Sequence, residues 1–364
     1  MTAKLVDPQA YPELLAAKCA EVQALLAPFD LPPPTIVPSR PSGYRMRAEF
    51  RAWHAGERLF YAMFPPGESN NPIEITDFPV ACATIQALMP RLLVRLQTGE
   101  LRRRLFRVEF LSTLAGDTCV TLIYHRKLDD AWEAEAAALA EALEISIVGR
   151  SRRQKLVVGR DYVTERLVID GRAYHYRQYE QAFSQPNAEV NTKMIEWACA
   201  AARELDGDLL ELYCGNGNFS LPLAAHFDHV IATEVARDST RAALHNLEAN
   251  AVTNVELVRL SAEEVTQALA GVREFKRLAG LPRPLGSFDL RTVFVDPPRA
   301  GLDDATLAMV SAYDTIIYIS CNPKTLAANL RSLSETHEGV RFALFDQFPY
   351  TEHMECGVVA RRRR

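Results

Sequence analysis

From residue 209 onward the chain alternates short apolar runs with helical segments, and several runs end in a glycine-, proline- or cysteine-bearing turn. Leu209–Tyr213 leads into Cys214-Gly215-Asn216-Gly217-Asn218-Phe219, and Val230–Glu234 ends on an acid. After Val255–Leu260, Thr292–Val295 runs into Asp296-Pro297-Pro298-Arg299, and Ile316–Ile319 into Ser320-Cys321-Asn322-Pro323. Arg341–Gln347 and Gly357–Ala360 complete seven strand-like runs. Helical patterns occupy 187–205, a stretch from about Ser220, and Arg237–Ala249. Such alternation predicts an α/β fold with a seven-stranded doubly wound sheet, in which ligands sit at the carboxyl ends of the strands. Residues 266–289 are an insertion between the third and fourth runs, with no role legible in the sequence.

The first half follows another rule. From Tyr44 the period is two: Arg45, Arg47, Glu49, Arg51 and Trp53 alternate with Met46, Ala48, Phe50 and Ala52, a half-buried strand with a cationic face. Hairpins are predicted at Ala55-Gly56-Glu57, Ala115-Gly116-Asp117 and Asp170-Gly171, and helices at 1–30, 84–97 and from Asp129 to Glu144. The proline-rich stretch from Leu31 reads as an extended connector. The expectation is an antiparallel α+β domain over residues 1–180, followed by the α/β domain over 181–364.

Net charge is −5, but residues 1–180 hold 23 basic against 22 acidic side chains, leaving the second half acidic. Arginine clusters at 45–51, 102–104 and 150–155 are interleaved with Phe106, Tyr124 and His125, a combination suited to phosphates and unstacked bases. Each arginine taken singly reads better as part of a solvated strand face or a surface salt bridge. The seven cysteines form no C-x-x-C pair, so neither a metal, an iron–sulfur cluster nor a disulfide framework is expected. No apolar run has membrane-spanning length, and no signal-peptide core is present; a cytoplasmic location is expected.

The glycine turn admits two cofactor classes. Gly215 and Gly217 let a ligand approach the backbone, but Ser220 stands where a dinucleotide fingerprint has its third glycine, and Glu234 suits ribose hydroxyls in either class. Asp296-Pro297-Pro298 at a strand end separates them, since a rigid ledge with a carboxylate suits transfer of a group to a nucleic-acid base. Cys321 reads as a nucleophile at a strand end or as a half-buried structural thiol.

Together, Gly215–Ser220, Asp296–Arg299, Ser320–Pro323 and His353-Met354-Glu355-Cys356 resemble the RNA uracil-C5 methyltransferase family. The resemblance extends through Tyr44–His54, Tyr124–Asp130 and Phe345–Val358 and so spans the whole chain. It implies a Rossmann-like domain dependent on S-adenosyl-L-methionine, preceded by a domain that grips the T-arm of tRNA. It implies methylation of C5 of uridine 54 and, as a second substrate, of the matching uridine of tmRNA. Cys321 is then the thiolate that adds to uracil C6, with Arg299 as a contributor to its ionisation, and Glu355 is the base that takes the C5 proton. The resemblance carries cofactor contacts onto Gln185, Tyr213, Asn218, Glu234 and Asp296. Arg51, Phe106 and His125 are expected at the flipped uridine or its neighbours.

Three other readings compete: a ribosomal RNA uridine methyltransferase, an NAD-dependent oxidoreductase, and a non-catalytic RNA-binding factor. Family members acting on ribosomal RNA typically carry a TRAM domain and an iron–sulfur cysteine cluster, patterns not seen in this sequence.

Overall fold

The computed structural model describes residues 6–65, 67–68 and 70–363. They form two compact units that interleave along the chain rather than dividing once after residue 180. One holds residues 6–9, Arg40–Arg166 and Gln178–Ala188; the other holds Ala10–Ser39, Leu167–Arg177 and residues 189–363. The hairpin Tyr162–Ile169/Arg172–Tyr179 passes from one unit into the other, and its turn residues Asp170 and Gly171 both take positive φ, as the Asp-Gly dipeptide predicts.

In the first unit a seven-stranded sheet runs in the order Ile73–Glu74, Arg58–Met63, Arg47–Ala55, Leu105–Ser112, Thr118–Tyr124, Ser146–Ser151, Gln154–Val158. All pairs are antiparallel except Thr118–Tyr124 with Ser146–Ser151, which the helix Asp130–Leu143 connects. Asp129 caps that helix by accepting from Trp132 N at 3.0 Å. The period-two reading holds: Tyr44, Met46, Ala48, Phe50 and Ala52 are buried, whereas Arg51 and Trp53 stay half-exposed.

In the second unit eight strands lie in the order Thr35–Val37, His337–Phe345, Glu355–Arg362, Thr315–Ser320, Leu290–Val295, Asp208–Leu212, Val230–Thr233, Val255–Val258. Seven of these match the expected runs. The eighth, Thr35–Val37, comes from the stretch read as a connector and pairs in parallel with Ala343–Phe345. Glu355–Arg362 is antiparallel to both neighbours and the other pairings are parallel. Asp208–Leu212 pairs on both sides, so the strand order reverses there and the glycine turn sits at the switch point.

Local chemistry sets the remaining elements. The expected helix after Phe219 shortens to the turn Ser220–Leu223 followed by a tighter turn, Ala224–His226; it contains Pro222, which cannot donate to a continuing ladder. The N-terminal helix is Tyr11–Leu26, and residues 1–5 of the predicted span lie outside the described residues. The 266–289 insertion packs into the core through Leu285 and Phe288, and Arg283 pairs with buried Asp208 at 2.8 Å. Among the described residues no helix is long and apolar enough to cross a membrane.

Candidate active site

The nucleophile candidate is placed by its strand. Thr315–Ser320 is buried throughout and stops where Ser320 Oγ accepts from Asn322 N at 3.3 Å. The Asn322 side chain then caps the next helix through Lys324 N at 3.1 Å, and Pro323 stands in that helix's first turn. Cys321 lies between, half-exposed, whereas the other six cysteines are buried free thiols. The antiparallel neighbour brings up an acid: Ser320 pairs with Cys356, so the next step outward sets Cys321 against Glu355, the first residue of its strand.

Asp296, on the other side of Thr315–Ser320, follows the parallel strand Leu290–Val295. Burial raises its carboxyl to about 7. Glu355 is only 4 % exposed and its Oε2 has no hydrogen-bond partner; burial, then the charge of Asp296, raises it to about 8 against the pull of Arg299. The Cys321 thiol was expected to sit in a field favouring ionisation. Instead burial, Glu355 and Asp296 push it up to about 11, and Arg299 offsets only part of this. Arg299 is itself exposed and donates to His353 Nε2 at 3.2 Å, while its carbonyl accepts from Asn322 Nδ2 at 3.0 Å.

The glycine turn is built to leave room. Gly215 and Gly217 have φ of 59° and 81°. A Cβ on Gly217 would stand 2.6 Å from Leu221 Cδ1, whereas one on Gly215 would meet nothing within 4 Å. Glu234 fixes the turn from the next strand, accepting from Gly215 N at 3.0 Å and from Val235 N and Ala236 N at 2.8 Å. Asn218 and Asn191 exchange side-chain amide bonds at 2.9 Å, and Tyr213 takes the left-handed conformation at φ 62°. The phenol of Tyr213 is raised to about 12 by burial and by Asp303.

Glu211 was not anticipated. It is 1 % exposed on the first strand, Oε2 lacks a partner, and burial with the charge of Asp296 raises it to about 8, against a lowering from Ser220. An acid inside Leu209-Leu210-Glu211-Leu212 is the signal that could have found it. Open space at Gly215, orphaned carboxyl oxygens at Glu211 and Glu355, and acceptors at the strand ends suit a polar, cationic small molecule, which S-adenosyl-L-methionine is.

The remaining predicted residues lie in the first unit. Gln185 has a buried, unpartnered Oε1, and Arg47 holds its segment by donating to the carbonyls of Ala182 and Glu180 at 2.6 and 2.5 Å. Arg51, Phe106 and His125 form one stack: the guanidinium lies 3.5 Å from the Phe106 centroid, and the Phe106 and His125 rings are 4.0 Å apart at 28°. Tyr124, grouped with them in the sequence, is instead buried and donates to Leu101 O at 2.9 Å. The 150–155 cluster is engaged internally, with Arg150 and Lys155 both paired to buried Glu180.

Fold and site define an S-adenosyl-L-methionine-dependent methyltransferase with a thiol and an acid at adjoining strand ends. The family model for tRNA (uracil-5-)-methyltransferases matches residues 10–363, and the chain belongs to that family. It is 56 % identical over 358 residues to a tRNA/tmRNA (uracil-C(5))-methyltransferase of Pseudomonas entomophila, covering 98 % of this chain and 99 % of the relative. A protein of the same name from Ectopseudomonas mendocina is 55 % identical over the full length of both chains. The fold is also that of the Pyrococcus abyssi tRNA (uracil-54, C5)-methyltransferase, solved with S-adenosyl-L-homocysteine. That match has a TM-score of 0.74 at 20 % identity and covers 96 % of this chain and 83 % of that one.

Proposed function

We propose that this chain methylates C5 of uridine 54 in the T-loop of tRNA, and the equivalent uridine of tmRNA, in the cytoplasm. The observation that carries the reading is the register that sets Cys321 against Glu355, with Asp296 on the adjoining strand end. Tyr213, Asn218, Glu234 and Asp296 hold the cofactor, which when bound supplies an electrophilic methyl group.

Uracil C5 is a weak nucleophile, and the thiol remedies this. The Cys321 thiol gives its proton to solvent, the resulting thiolate bonds through Sγ to C6, the C5=C6 electron pair moves toward O4, and C5 gains enolate character. Once C5 carries both methyl and hydrogen, Glu355 takes the C5 proton and the Sγ–C6 bond breaks, restoring the double bond and releasing the thiolate. Arg299 acts on both groups and favours the anionic form of each. The target base must leave its stack to reach the half-buried thiol, and Arg51, Phe106 and His125 offer a stacking surface to unstacked bases of the same RNA.

The test is a denaturing-gel shift with T-arm RNA carrying 5-fluorouridine at the target, in the presence of S-adenosyl-L-methionine. Fluorine cannot leave as a cation, so the reaction halts at a covalent complex. The complex is expected with the wild-type chain and absent with Cys321→Ala; a complex that persists in that variant overturns the assignment.

A further inference from the structure

Two hollows adjoin on the first unit, one of about 390 Å³ carrying the Arg51–Phe106–His125 stack and one of about 540 Å³ lined by the 97–104 segment. His54 and Arg104 line both, so the two form a continuous groove. The three consecutive arginines beside it differ sharply. Arg103 is neutralised by Glu100 at 2.8 Å, and Glu100 also takes Arg126 at 3.0 Å. Arg102 donates Nη2 to Gly56 O at 2.8 Å, yet its Nε is buried without an acceptor. Arg104 is exposed, forms no side-chain hydrogen bond or ion pair with the described residues, and sits at φ 52°. A non-glycine residue in the left-handed region is strained, and such strain gathers where a side chain serves a ligand. Among the residues lining the larger hollow, Glu57 is the one acid set against Arg102 and Arg104 once Arg103 is discounted. The carboxylate of Glu135, beside Gly99, is taken up by the backbone N–H groups of Glu100 and Leu101.

The geometry points to a subsite for a single backbone phosphate, held by Arg102 and Arg104, next to the stack that receives a base. This rests on the reading of the chain as an RNA methyltransferase and deepens it. A phosphate suits the place because its oxygens accept from the unpaired guanidinium of Arg104, with the charge of Arg102 lining the same hollow. The neighbouring stack suits the base of an adjacent nucleotide. The groove therefore reads one base–phosphate step of an unstacked strand and divides the labour between a ring surface and two cations.

The experiment is equilibrium binding of T-arm RNA over a range of salt concentrations, with methyl transfer by the wild-type chain measured on the same RNA. Arg104→Gln is expected to weaken binding several-fold and to reduce the slope of log affinity against log salt by about 0.7–0.9, the loss of one phosphate contact. Phe106→Ala is expected to weaken binding with the slope unchanged. Arg103→Gln, whose charge is already paired, is expected to change neither. An undiminished slope in Arg104→Gln, or an equal drop in Arg103→Gln, overturns the subsite while the methyltransferase reading stands. Failure of the wild-type chain to methylate the RNA overturns the broader reading and the subsite with it.

Discussion

Glu355 stands opposite Cys321 because their strands run antiparallel, one step beyond the paired residues Ser320 and Cys356. A parallel final strand would begin at the far end of the sheet and carry its first residue away from the thiol. The acid and the thiol are thus positioned by the pairing of their two strands.

That rigidity makes the role of Glu355 separable from that of Cys321. Glu355→Gln keeps the shape of the side chain and removes its capacity to accept the C5 proton. Methylated RNA is expected to accumulate as a covalent complex on denaturing gels with the natural uridine substrate, and turnover to fall by about a hundredfold or more. Full turnover without the complex would assign proton removal elsewhere.

The pH dependence follows from the raised carboxyl. Glu355 is protonated below its value of about 8 and works as a base only above it. At subsaturating RNA, kcat/KM is expected to climb as pH rises from 6 through about 8, with an apparent value belonging jointly to Glu355 and Asp296. Cys321, at about 11, adds a further rise at higher pH. A flat profile between pH 6 and 9 is incompatible with this arrangement.

Stability should move the opposite way. Glu211 ionises at about 8 in the folded chain, well above an ordinary carboxyl, so the folded state binds the proton more tightly than the unfolded one. Its contribution is therefore lost as pH rises from about 4.5 through 8. Glu211→Gln, with no charge to bury, is expected to lose less Tm between pH 5.5 and 9 than the wild type. A difference of about 2–4 °C corresponds to roughly 1 kcal/mol. Equal pH slopes in thermal unfolding would contradict it.

The two turn glycines should fail differently. Gly217→Ala forces a methyl group against Leu221 in a left-handed backbone, and is expected to cost about 1–3 kcal/mol of unfolding free energy. Gly215→Ala meets no protein atom, so its stability cost is limited to backbone strain of about 1–2 kcal/mol. Its larger effect is expected on binding of S-adenosyl-L-homocysteine by calorimetry, about tenfold or more. Unaltered binding in Gly215→Ala would place the cofactor elsewhere.

Much of this was legible because strand ends announce themselves. An apolar run halted by Ser-Cys-Asn-Pro, or by Asp-Pro-Pro, marks its carboxyl end without any tertiary information. Glu355 carries no such mark. Its meaning depends on a strand pairing across more than thirty residues and on the reversal of one strand, neither of which local pattern records. The edge strand Thr35–Val37 was hidden by flanking prolines, and its pairing partner lies some three hundred residues away. Composition misled where charge met charge: Arg150 and Lys155 resemble a nucleic-acid patch in sequence and serve buried Glu180 in the fold. Glu211 was passed over because an acid within an apolar strand looks like an interruption until the strand proves buried on both faces.

The interleaving of the two units limits how the protein can be dissected. A fragment beginning at residue 181 would leave the His337–Phe345 strand without its outer neighbour, an open edge onto which other chains can pair. It would also strip buried Asp346 of Lys18 at 2.5 Å and of Tyr11 at 2.9 Å, and an uncompensated buried charge costs about 3–5 kcal/mol. The catalytic half is therefore not a portable module. Expressed alone it would be prone to aggregate, and supplying residues 10–39 as a separate peptide would be the way to recover it.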